Sequence, residues 1–288
     1  MKDRMEVKEV KEEMEKSGGV AAFFDLDGTL LAPPSLERRF FRLLRCRGAM
    51  PARNYFLWLR EAMRLMPRGI SAIFEANKMY LRGLQVFDER GEGDRDVSSW
   101  HQDDQQAEGQ VSAPPRRYPR LPVPTFFGQA IETVAGHATE GHEIVLMSGT
   151  LELLARGAAH AMEAELAARG ITVKIRVFAT RLEEMDGRWT GRVLGEAMFG
   201  EAKARAAKRL AEEMRLDLGQ CYAYGDSLND RWLLAAVGRP TAVNPSKGLG
   251  QMAKKLGWPT IAWKALTPER SKFRKKNRQI GGWCERRS

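Results

Sequence analysis

A short apolar run that leads directly into two aspartates constrains the fold of this chain. Residues 20–24 read Val-Ala-Ala-Phe-Phe, and Asp25-Leu26-Asp27-Gly28-Thr29 follows at once. Strands this continuously apolar are typical of parallel sheets that helices cover on both faces. Polar residues just beyond such a strand lie at the carboxyl edge of the sheet, where ligands bind. The run therefore predicts a Rossmann-like parallel α/β sheet with a candidate site at Asp25 and Asp27.

The second half of the chain alternates between helical and strand patterns, as a parallel sheet requires. Helices are predicted over 126–139, 151–169, 200–215, 230–237 and 249–256. Strands are predicted over 143–147, 173–179, 221–224, 241–243 and 260–263. An Asp-Gly corner at 186–187 predicts a hairpin turn.

Two segments separate the first predicted strand from the rest of the sheet. Residues 35–87 carry apolar side chains at helical spacing, divided by Pro51 and Pro67, which predicts a small helical subdomain. Residues 88–124 are polar and end in a proline-rich stretch, with too little apolar matter to fold alone, so they are predicted to be a disordered insert. The predicted organisation is a charged arm (1–19), a core (20–34 and 125–263), the helical subdomain (35–87), the insert (88–124) and a basic tail (264–288).

The net charge of +10 is concentrated in two places. Residues 37–68 hold nine arginines and two glutamates, and residues 264–288 hold nine basic and two acidic residues. This pattern favours an anionic partner, and peripheral contact with an anionic membrane is one prediction. A solvated, flexible tail is the alternative. No nucleic-acid recognition motif accompanies the charge, so no specific nucleic-acid partner is expected.

The location of the protein is predicted from what the sequence lacks. It has no run of eighteen uncharged apolar residues, and its start has no apolar core of a secretory signal. The three cysteines are widely spaced and form no CxxC pair, which argues against a disulfide framework and a zinc site. A cytoplasmic protein is therefore expected, and the oligomeric state is left open.

Polar residues follow three of the predicted strands, and together they suit a bound metal and a phosphate. Besides Asp25 and Asp27, the strand ends carry Ser148-Gly149-Thr150 and the stretch from Gly225 to Asp230. Carboxylates such as Asp226 suit Mg²⁺, which phosphate oxygens commonly complete. Ser148 precedes a predicted helix, whose first N–H groups bind phosphate, and Lys203 would balance the negative charge.

Each of these residues also has a purely structural interpretation. Asp27-Gly28 fits a simple turn, and Ser148 and Asp230 fit helix caps. Lys203 competes with Lys208 on the same charged helix, where both could face solvent. The four histidines show no ligand spacing, and His137 and His142 are predicted to be surface residues that flank a strand.

Four stretches, FFDLDGTLL, LMSGT, GEAKARAAKRLAEE and YAYGDSLND, resemble in order and character the four motifs of the haloacid dehalogenase-like (HAD) superfamily. The resemblance covers roughly 20–263, without the arm, the insert and the tail. The helical segment looks like the small cap of the phosphoserine-phosphatase-like branch. The implied fold is an α/β core with a cap inserted after its first strand.

The resemblance implies a role for each matching residue. Asp25 would be the nucleophile that forms an aspartyl-phosphate, and Asp27 the general acid and base. The implied Mg²⁺ site consists of Asp25, Asp27 through its backbone carbonyl, Asp226, and Asp230 in a supporting position. The implied phosphate-binding set is Gly28, Thr29, Ser148, Gly149 and Lys203.

The predicted function is a Mg²⁺-dependent phosphomonoesterase acting on a small organic phosphate or the phosphate of a lysophospholipid. Phosphoserine phosphatases resemble one another in placing a glutamate nine residues after the nucleophile, where this chain has Pro34. Specificity for phosphoserine is therefore not expected. Two alternatives stay open: phosphoryl transfer to another acceptor, and a catalytically weak scaffold that binds an anionic membrane or polyanion.

Overall fold

The structure is a computed structural model that describes residues 18–69, 73, 75–86 and 121–264. Most of the predicted arm, most of the 88–124 insert and nearly all of the 264–288 tail lie outside the described residues. Within the described ranges, no helix has both the length and the apolar character needed to span a bilayer.

Six parallel strands form the main sheet, in the spatial order β3-β2-β1-β6-β7-β8. Their bounds are β1 Ala21–Phe24, β2 Glu143–Leu151, β3 Ile175–Thr180, β6 Tyr222–Gly225, β7 Arg239–Val243 and β8 Thr260–Ile261. Two further strands, β4 Leu182–Met185 and β5 Arg188–Val193, pair only with each other. The predicted Rossmann-like parallel sheet is confirmed.

Helices cover the sheet on both faces, which explains why β1 is apolar throughout. The helices are α1 Leu36–Cys46, α2 Ala52–Leu65, α3 Gly128–Thr139, α4 Glu152–Ala167, α5 Glu201–Met214, α6 Arg231–Ala235 and α7 Lys247–Leu256. Ala21 and Phe23 of β1 pack with α5, α6 and α7 in one core cluster. On the other face, the ring of Phe24 contacts the ring of His137 on α3.

The described chain divides into two compact units. The first takes in 18–39, 123–181 and 193–264, and contains the whole six-stranded sheet. The second takes in the described residues between 40 and 122, with 182–192. Within it, the side-chain amide of Asn54 on α2 donates hydrogen bonds to the carbonyl oxygens of Tyr80 and Arg82, at 3.1 and 2.8 Å. These bonds tie α2 to the short 3₁₀ helix Met79–Leu81.

The β4–β5 hairpin belongs to the second unit, so its assignment to the 125–263 core was wrong. Backbone hydrogen bonds explain the difference: the N–H of Gly83 donates to the carbonyl of Trp189, and the N–H of Trp189 donates to the carbonyl of Leu84. An edge strand presents unpaired N–H and C=O groups, which can form hydrogen bonds with another segment of chain. Here the pairing is with the chain that follows the 3₁₀ helix, not with the six-stranded sheet.

One smaller expectation is also corrected. His137 is only 7% exposed, so it is not a surface residue. Local spacing places a residue on an element but does not determine which other elements cover it.

Candidate active site

The candidate site lies where β1 and β6 run side by side in the centre of the sheet. From β1 the sheet extends through β2 and β3 on one side and through β6, β7 and β8 on the other. In open α/β sheets, a crevice forms at the carboxyl ends of the strands where the order reverses in this way. Asp25 directly follows β1 and Asp226 directly follows β6, so the strand register brings them to the same edge.

Three carboxylates and one lysine meet at this edge. Asp25, Asp226 and Asp230 each offer a carboxylate oxygen, and these oxygens all lie within 4.8 Å of one another. Lys203, on α5, places its Nζ 2.6 Å from Oδ1 of Asp25 and 2.6 Å from Oδ1 of Asp230. We call these four residues the carboxylate cluster. Lys203 is 2% exposed, so the interpretation of this lysine as part of a solvated face is wrong.

Burial and mutual repulsion govern the charges of the carboxylate cluster. Burial raises the pKa of Asp25 well above its ordinary value, against the attraction of Lys203. Burial and then the nearby Asp230 raise the pKa of Asp226 to about 7. Burial disfavours the charge on Lys203, but Asp230 and Asp25 outweigh it and raise the lysine pKa. The lysine therefore stays charged at neutral pH.

Asp230 is fully engaged by neighbouring groups. While its Oδ1 meets Lys203, its Oδ2 accepts hydrogen bonds from the backbone N–H and the hydroxyl of Ser227, at 3.0 and 2.8 Å. The bond from the backbone N–H of Ser227 is part of the capping box of the 3₁₀ turn Leu228–Asp230. Asp230 precedes α6 but makes no side-chain capping bond to it, so the simple helix-cap interpretation is wrong. The arrangement suits Asp230 to hold Lys203 in place.

Asp27 stands apart from the three clustered carboxylates. Its Oδ1 accepts a hydrogen bond of 2.7 Å from the backbone N–H of Leu36, the first residue of α1. Burial raises the pKa of Asp27, and the N–H of Leu36 opposes that effect. The sequence reasoning missed Leu36, although the Pro33-Pro34-Ser35 stretch before an apolar run is a recognisable helix start. The bond fixes the orientation of the Asp27 carboxyl.

Gly28 leaves the space that the Asp226 carboxylate occupies. A Cβ at position 28 would lie 2.3 Å from Oδ2 of Asp226, and the φ of Gly28 is +92°. Both the close approach and the positive φ require glycine here. In the described structure, the absence of a side chain at Gly28 makes room for the carboxylate of Asp226. The predicted phosphate contact of Gly28 stays a prediction.

The end of β2 supplies the next predicted group of residues. Phe24 pairs with Leu146, so Ser148 lies just beyond the paired part of β1, at the same edge as Asp25. The Ser148 hydroxyl accepts a hydrogen bond from the N–H of Thr150, at 3.2 Å. The helix-cap interpretation of Ser148 is wrong, because β2 continues to Leu151 and that residue precedes α4. A register shift between Ser148 and Leu151 accompanies this extension.

Gly149 allows an aromatic ring to approach the end of β2. A Cβ at Gly149 would lie 2.1 Å from the ring of Phe199. The carbonyl of Gly149 accepts a hydrogen bond of 2.9 Å from the hydroxyl of Thr180 on β3. These contacts hold the backbone after Ser148 in an extended form.

Two buried hydroxyls beside these glycines have no hydrogen-bond partner in the described structure, Oγ1 of Thr29 and Oγ1 of Thr150. A buried hydroxyl without a partner costs roughly 1–3 kcal/mol, so such groups are uncommon. Thr29 directly follows Gly28 in the first motif, and Thr150 follows Gly149 at the end of β2. Both hydroxyls are therefore available to a polar ligand.

The carboxylate cluster fits a hard divalent cation. Mg²⁺ prefers oxygen ligands and is commonly held by one or two carboxylates plus phosphate oxygens and water. Asp25 and Asp226 supply such oxygens. Burial, and then Asp230, raises the pKa of Asp226, and a bound cation would favour its charged form. Asp27 contributes no carboxylate to this group, and its predicted carbonyl contact to the metal stays a prediction.

Comparison with known proteins agrees with the fold and the motifs. Residues 22–235 match the model of the family described as haloacid dehalogenase-like hydrolase. A Mycobacterium tuberculosis protein named phosphoserine phosphatase SerB1 is 29% identical over 238 residues, covering 83% of this chain and 69% of that protein. A crystal structure of a Bordetella pertussis protein with unknown function has 29% sequence identity and a TM-score of 0.57, covering 85% of this chain and 99% of that one.

Another relative shares a shorter region. A Mycobacterium tuberculosis protein named as a probable phosphatase is 35% identical over 147 residues. The match covers 49% of this chain and 45% of the relative, so this chain spans less than half the length of that protein. Similarity of this extent supports common ancestry of the matched part.

Proposed function

The chain belongs to the haloacid dehalogenase-like hydrolase family, in its phosphoserine-phosphatase-like branch, and from that premise we propose that it is a Mg²⁺-dependent phosphomonoesterase. We propose that it acts through an aspartyl-phosphate intermediate on a small organic phosphate. The contact of Lys203 with both Asp25 and Asp230, beside Asp226, is the observation that carries the proposal. A buried cation that contacts two carboxylates orients Asp25 and supplies a fixed positive charge that can stabilise a transferring phosphoryl group.

Asp25 is the proposed nucleophile. Lys203 holds its Oδ1, so Oδ2 is the oxygen that attacks phosphorus. The new bond joins Oδ2 to phosphorus while the bond from phosphorus to the leaving oxygen breaks. This covalent step divides one difficult displacement into two easier ones.

Asp27 is the proposed general acid and base. Its raised pKa favours the protonated carboxyl, which gives its proton to the leaving alkoxide. The resulting carboxylate then takes a proton from the water that attacks phosphorus, and Asp25 departs as the leaving group. The N–H of Leu36 keeps the Asp27 carboxyl in one orientation through both steps.

Asp25 and Asp226 would hold Mg²⁺, with Asp230 supporting the site through Lys203. A bound magnesium ion supplies charge stabilisation to the phosphoryl oxygens. Lys203 supplies a second positive charge from a fixed position. The hydroxyls of Thr29 and Thr150 are the proposed hydrogen-bond donors to the phosphate, together with Ser148.

Specificity for phosphoserine is not part of the proposal, although a relative carries that name. The carbonyl of Pro34, at the position where the branch places a glutamate, accepts a hydrogen bond of 2.9 Å from Arg39. Arg39 also donates to the carbonyl of Ala32, at 2.7 Å. These bonds fix the backbone before α1. Because residue 34 is proline, it offers no carboxylate to contact the ammonium group of a substrate.

The test is release of inorganic phosphate from a panel of phosphoserine, sugar phosphates, nucleotides and lysophosphatidate, with and without Mg²⁺. We expect one preferred ester, dependence on Mg²⁺, and a loss of at least about 10³-fold in kcat in Asp25→Asn. Asp186→Asn, at the exposed β4–β5 turn, is the matched control and should keep full activity. Folded protein that releases no phosphate, or an Asp25→Asn variant within tenfold of the parent, would contradict the proposal.

One observation favours a second function, peripheral contact with an anionic membrane. Phe56, Leu59, Met63 and Met66 recur along α2 and the turn after it, and each is more than half exposed. Arg60 and Arg64 lie on the same helix. An exposed apolar stripe with basic neighbours is typical of helices that lie in the membrane interface.

Vesicle sedimentation tests this second function independently of catalysis. We expect binding to phosphatidylcholine vesicles that contain phosphatidylserine, and at least about fivefold weaker binding in a Phe56→Ser, Leu59→Ser double variant. Met185→Ser, an exposed methionine in the same unit, is the control. Equal binding by the double variant and Met185→Ser would exclude α2 as the contact, and a chain shortened at residue 263 would then test the tail.

A further inference from the structure

Two histidines meet at the edge of the sheet opposite to the carboxylate cluster. His137 lies in the last turn of α3, and His142 directly precedes β2. Gly141, with a φ of +76°, reverses the chain between them, and the N–H of His142 donates to the carbonyl of His137 at 3.0 Å. This turn brings the two Nδ1 atoms to 2.9 Å from each other.

A third group completes the arrangement. Oε2 of Glu140 lies 3.5 Å from Nδ1 of His142. One ligand atom from each of His137, Glu140 and His142 falls within 4.8 Å of the others. We call these three residues the histidine cluster. The exposed Glu140 marks the side from which solvent reaches the cluster, while His137 is buried.

We propose that the histidine cluster binds Zn²⁺ through Nδ1 of His137, Nδ1 of His142 and a carboxylate oxygen of Glu140. Zinc–nitrogen bonds of 2.0–2.1 Å in a tetrahedron place two ligand nitrogens about 3.3 Å apart. The two Nδ1 atoms therefore need to separate by only a few tenths of an ångström from 2.9 Å. Three protein ligands leave a fourth position for water, on the side of Glu140.

The surroundings of His137 fix its ring in the orientation that a metal ligand needs. Its Nε2 lies 2.8 Å from the hydroxyl of Tyr224, and the ring of Tyr222 lies 4.5 Å away between centroids. Histidines that bind metals commonly donate their second ring N–H to such an oxygen, which leaves the other nitrogen as the lone-pair donor. With Nε2–H donating to Tyr224, the lone pair of Nδ1 points at His142.

The chemistry of the donors separates this site from the carboxylate cluster. Imidazole nitrogens favour zinc and other late first-row metals, whereas Mg²⁺ prefers oxygen. Zinc in the histidine cluster would cross-link the end of α3 to the start of β2 and, through Tyr224, to β6.

Equilibrium competition with a zinc-binding dye tests the proposal in the full chain. The measurement uses saturating Mg²⁺ and an Asp226→Asn background, so that the carboxylate cluster does not take up zinc. We expect one Zn²⁺ per chain, a loss of affinity of at least tenfold in His142→Gln and a smaller loss in Glu140→Gln. His160→Gln, an exposed histidine on α4, should bind zinc like its parent.

Structural readouts separate a real site from a hydrogen-bonded pair of histidines. We expect the extended fine structure of the zinc X-ray absorption spectrum to show two imidazole nitrogens at about 2.0–2.1 Å from zinc. This two-imidazole signal should be lost in His142→Gln. Zinc should also raise the Tm of the parent but not of that variant. Zinc-free His142→Gln that unfolds like the parent shows that the variant is folded. No zinc bound by the folded parent, or equal affinity in His142→Gln, would overturn the proposal.

Discussion

The carboxylate cluster and the histidine cluster lie in the same unit, at opposite edges of one sheet, and they handle charge differently. At the carboxyl edge, Lys203 is buried between Asp25 and Asp230 and keeps its charge. At the amino edge, His137 is buried among aromatic rings and is kept neutral. Burial disfavours charge in both places: at Lys203 the attraction of Asp230 and Asp25 outweighs burial, whereas at His137 burial outweighs the attraction of Glu140. A titratable group can thus be buried charged, as Lys203 is between two carboxylates, or neutral, as His137 is among aromatic rings.

Replacing Lys203 in the carboxylate cluster should have the largest effect on stability and activity. In Lys203→Met, the carboxylates of Asp25 and Asp230 lose their buried partner, which should cost about 3 kcal/mol of unfolding free energy without added metal. Phosphatase activity should fall by about 10³-fold, because the fixed positive charge is gone. Urea unfolding in chelator and phosphate release measure the two effects.

Lys208→Met is the matched control, because Lys208 lies exposed on the same helix. It should change the unfolding free energy by no more than about 0.5 kcal/mol and leave activity intact. If the two variants behaved alike, Lys203 would not support the cluster in the way its contacts indicate.

Gly28→Ala should disturb the same cluster through its backbone. The new Cβ would collide with the Asp226 carboxylate, and alanine is strained at a φ of +92°. We expect a loss of about 1–3 kcal/mol in stability and roughly 10²-fold in activity. Chemical denaturation and steady-state kinetics would show both. Unchanged kinetics would mean that Asp226 can move without loss of function.

The neutral state of His137, at the amino edge of the sheet, predicts that the free energy of unfolding decreases as the pH falls. Its folded pKa of about 4 lies below its ordinary 6.5, so between these values the unfolded chain binds more protons. This contribution to stability is full above pH 6.5 and is lost as the pH falls towards 4. In zinc-free buffer, the difference between pH 7 and pH 5 should be roughly 1–2 kcal/mol, because water at the open side of the pair reduces the cost of charging.

His137→Gln should flatten this part of the pH profile, since glutamine does not titrate. Urea unfolding at pH 7, 6 and 5 measures it, with His160→Gln as the control that keeps the parental slope. A parallel profile for His137→Gln and the parent would assign the pH dependence to other groups.

The smallest expected effect is a gain at the residue next to His137. Gly136 lies inside α3, its φ is not positive, and a Cβ there meets nothing within 4 Å. Gly136→Ala should stabilise the protein by about 0.4–1 kcal/mol, because alanine loses less backbone entropy in a helix. Thermal unfolding checks the sign. A lower Tm would show that the amino edge is packed more tightly than these distances indicate.

The sequence alone determined much of the carboxylate cluster, because the information is local. The run Val20–Phe24 indicated a strand buried on both faces, and the aspartates after it were placed at the sheet edge. The same reasoning placed Asp226 after β6 and Ser148 near the end of β2. Strand ends in a parallel sheet share one edge, so a pattern read along the chain also gives proximity in space.

Only the tertiary structure decided the rest. The hydroxyl of Tyr224 meets His137 from 87 positions along the chain, and the β4–β5 hairpin pairs with residues about a hundred positions before it. Neither contact follows a local period, because each depends on which elements pack together. Apolar periodicity determines which face of an element is buried, whereas the partner of that face is set by packing and by the pairing of backbone groups.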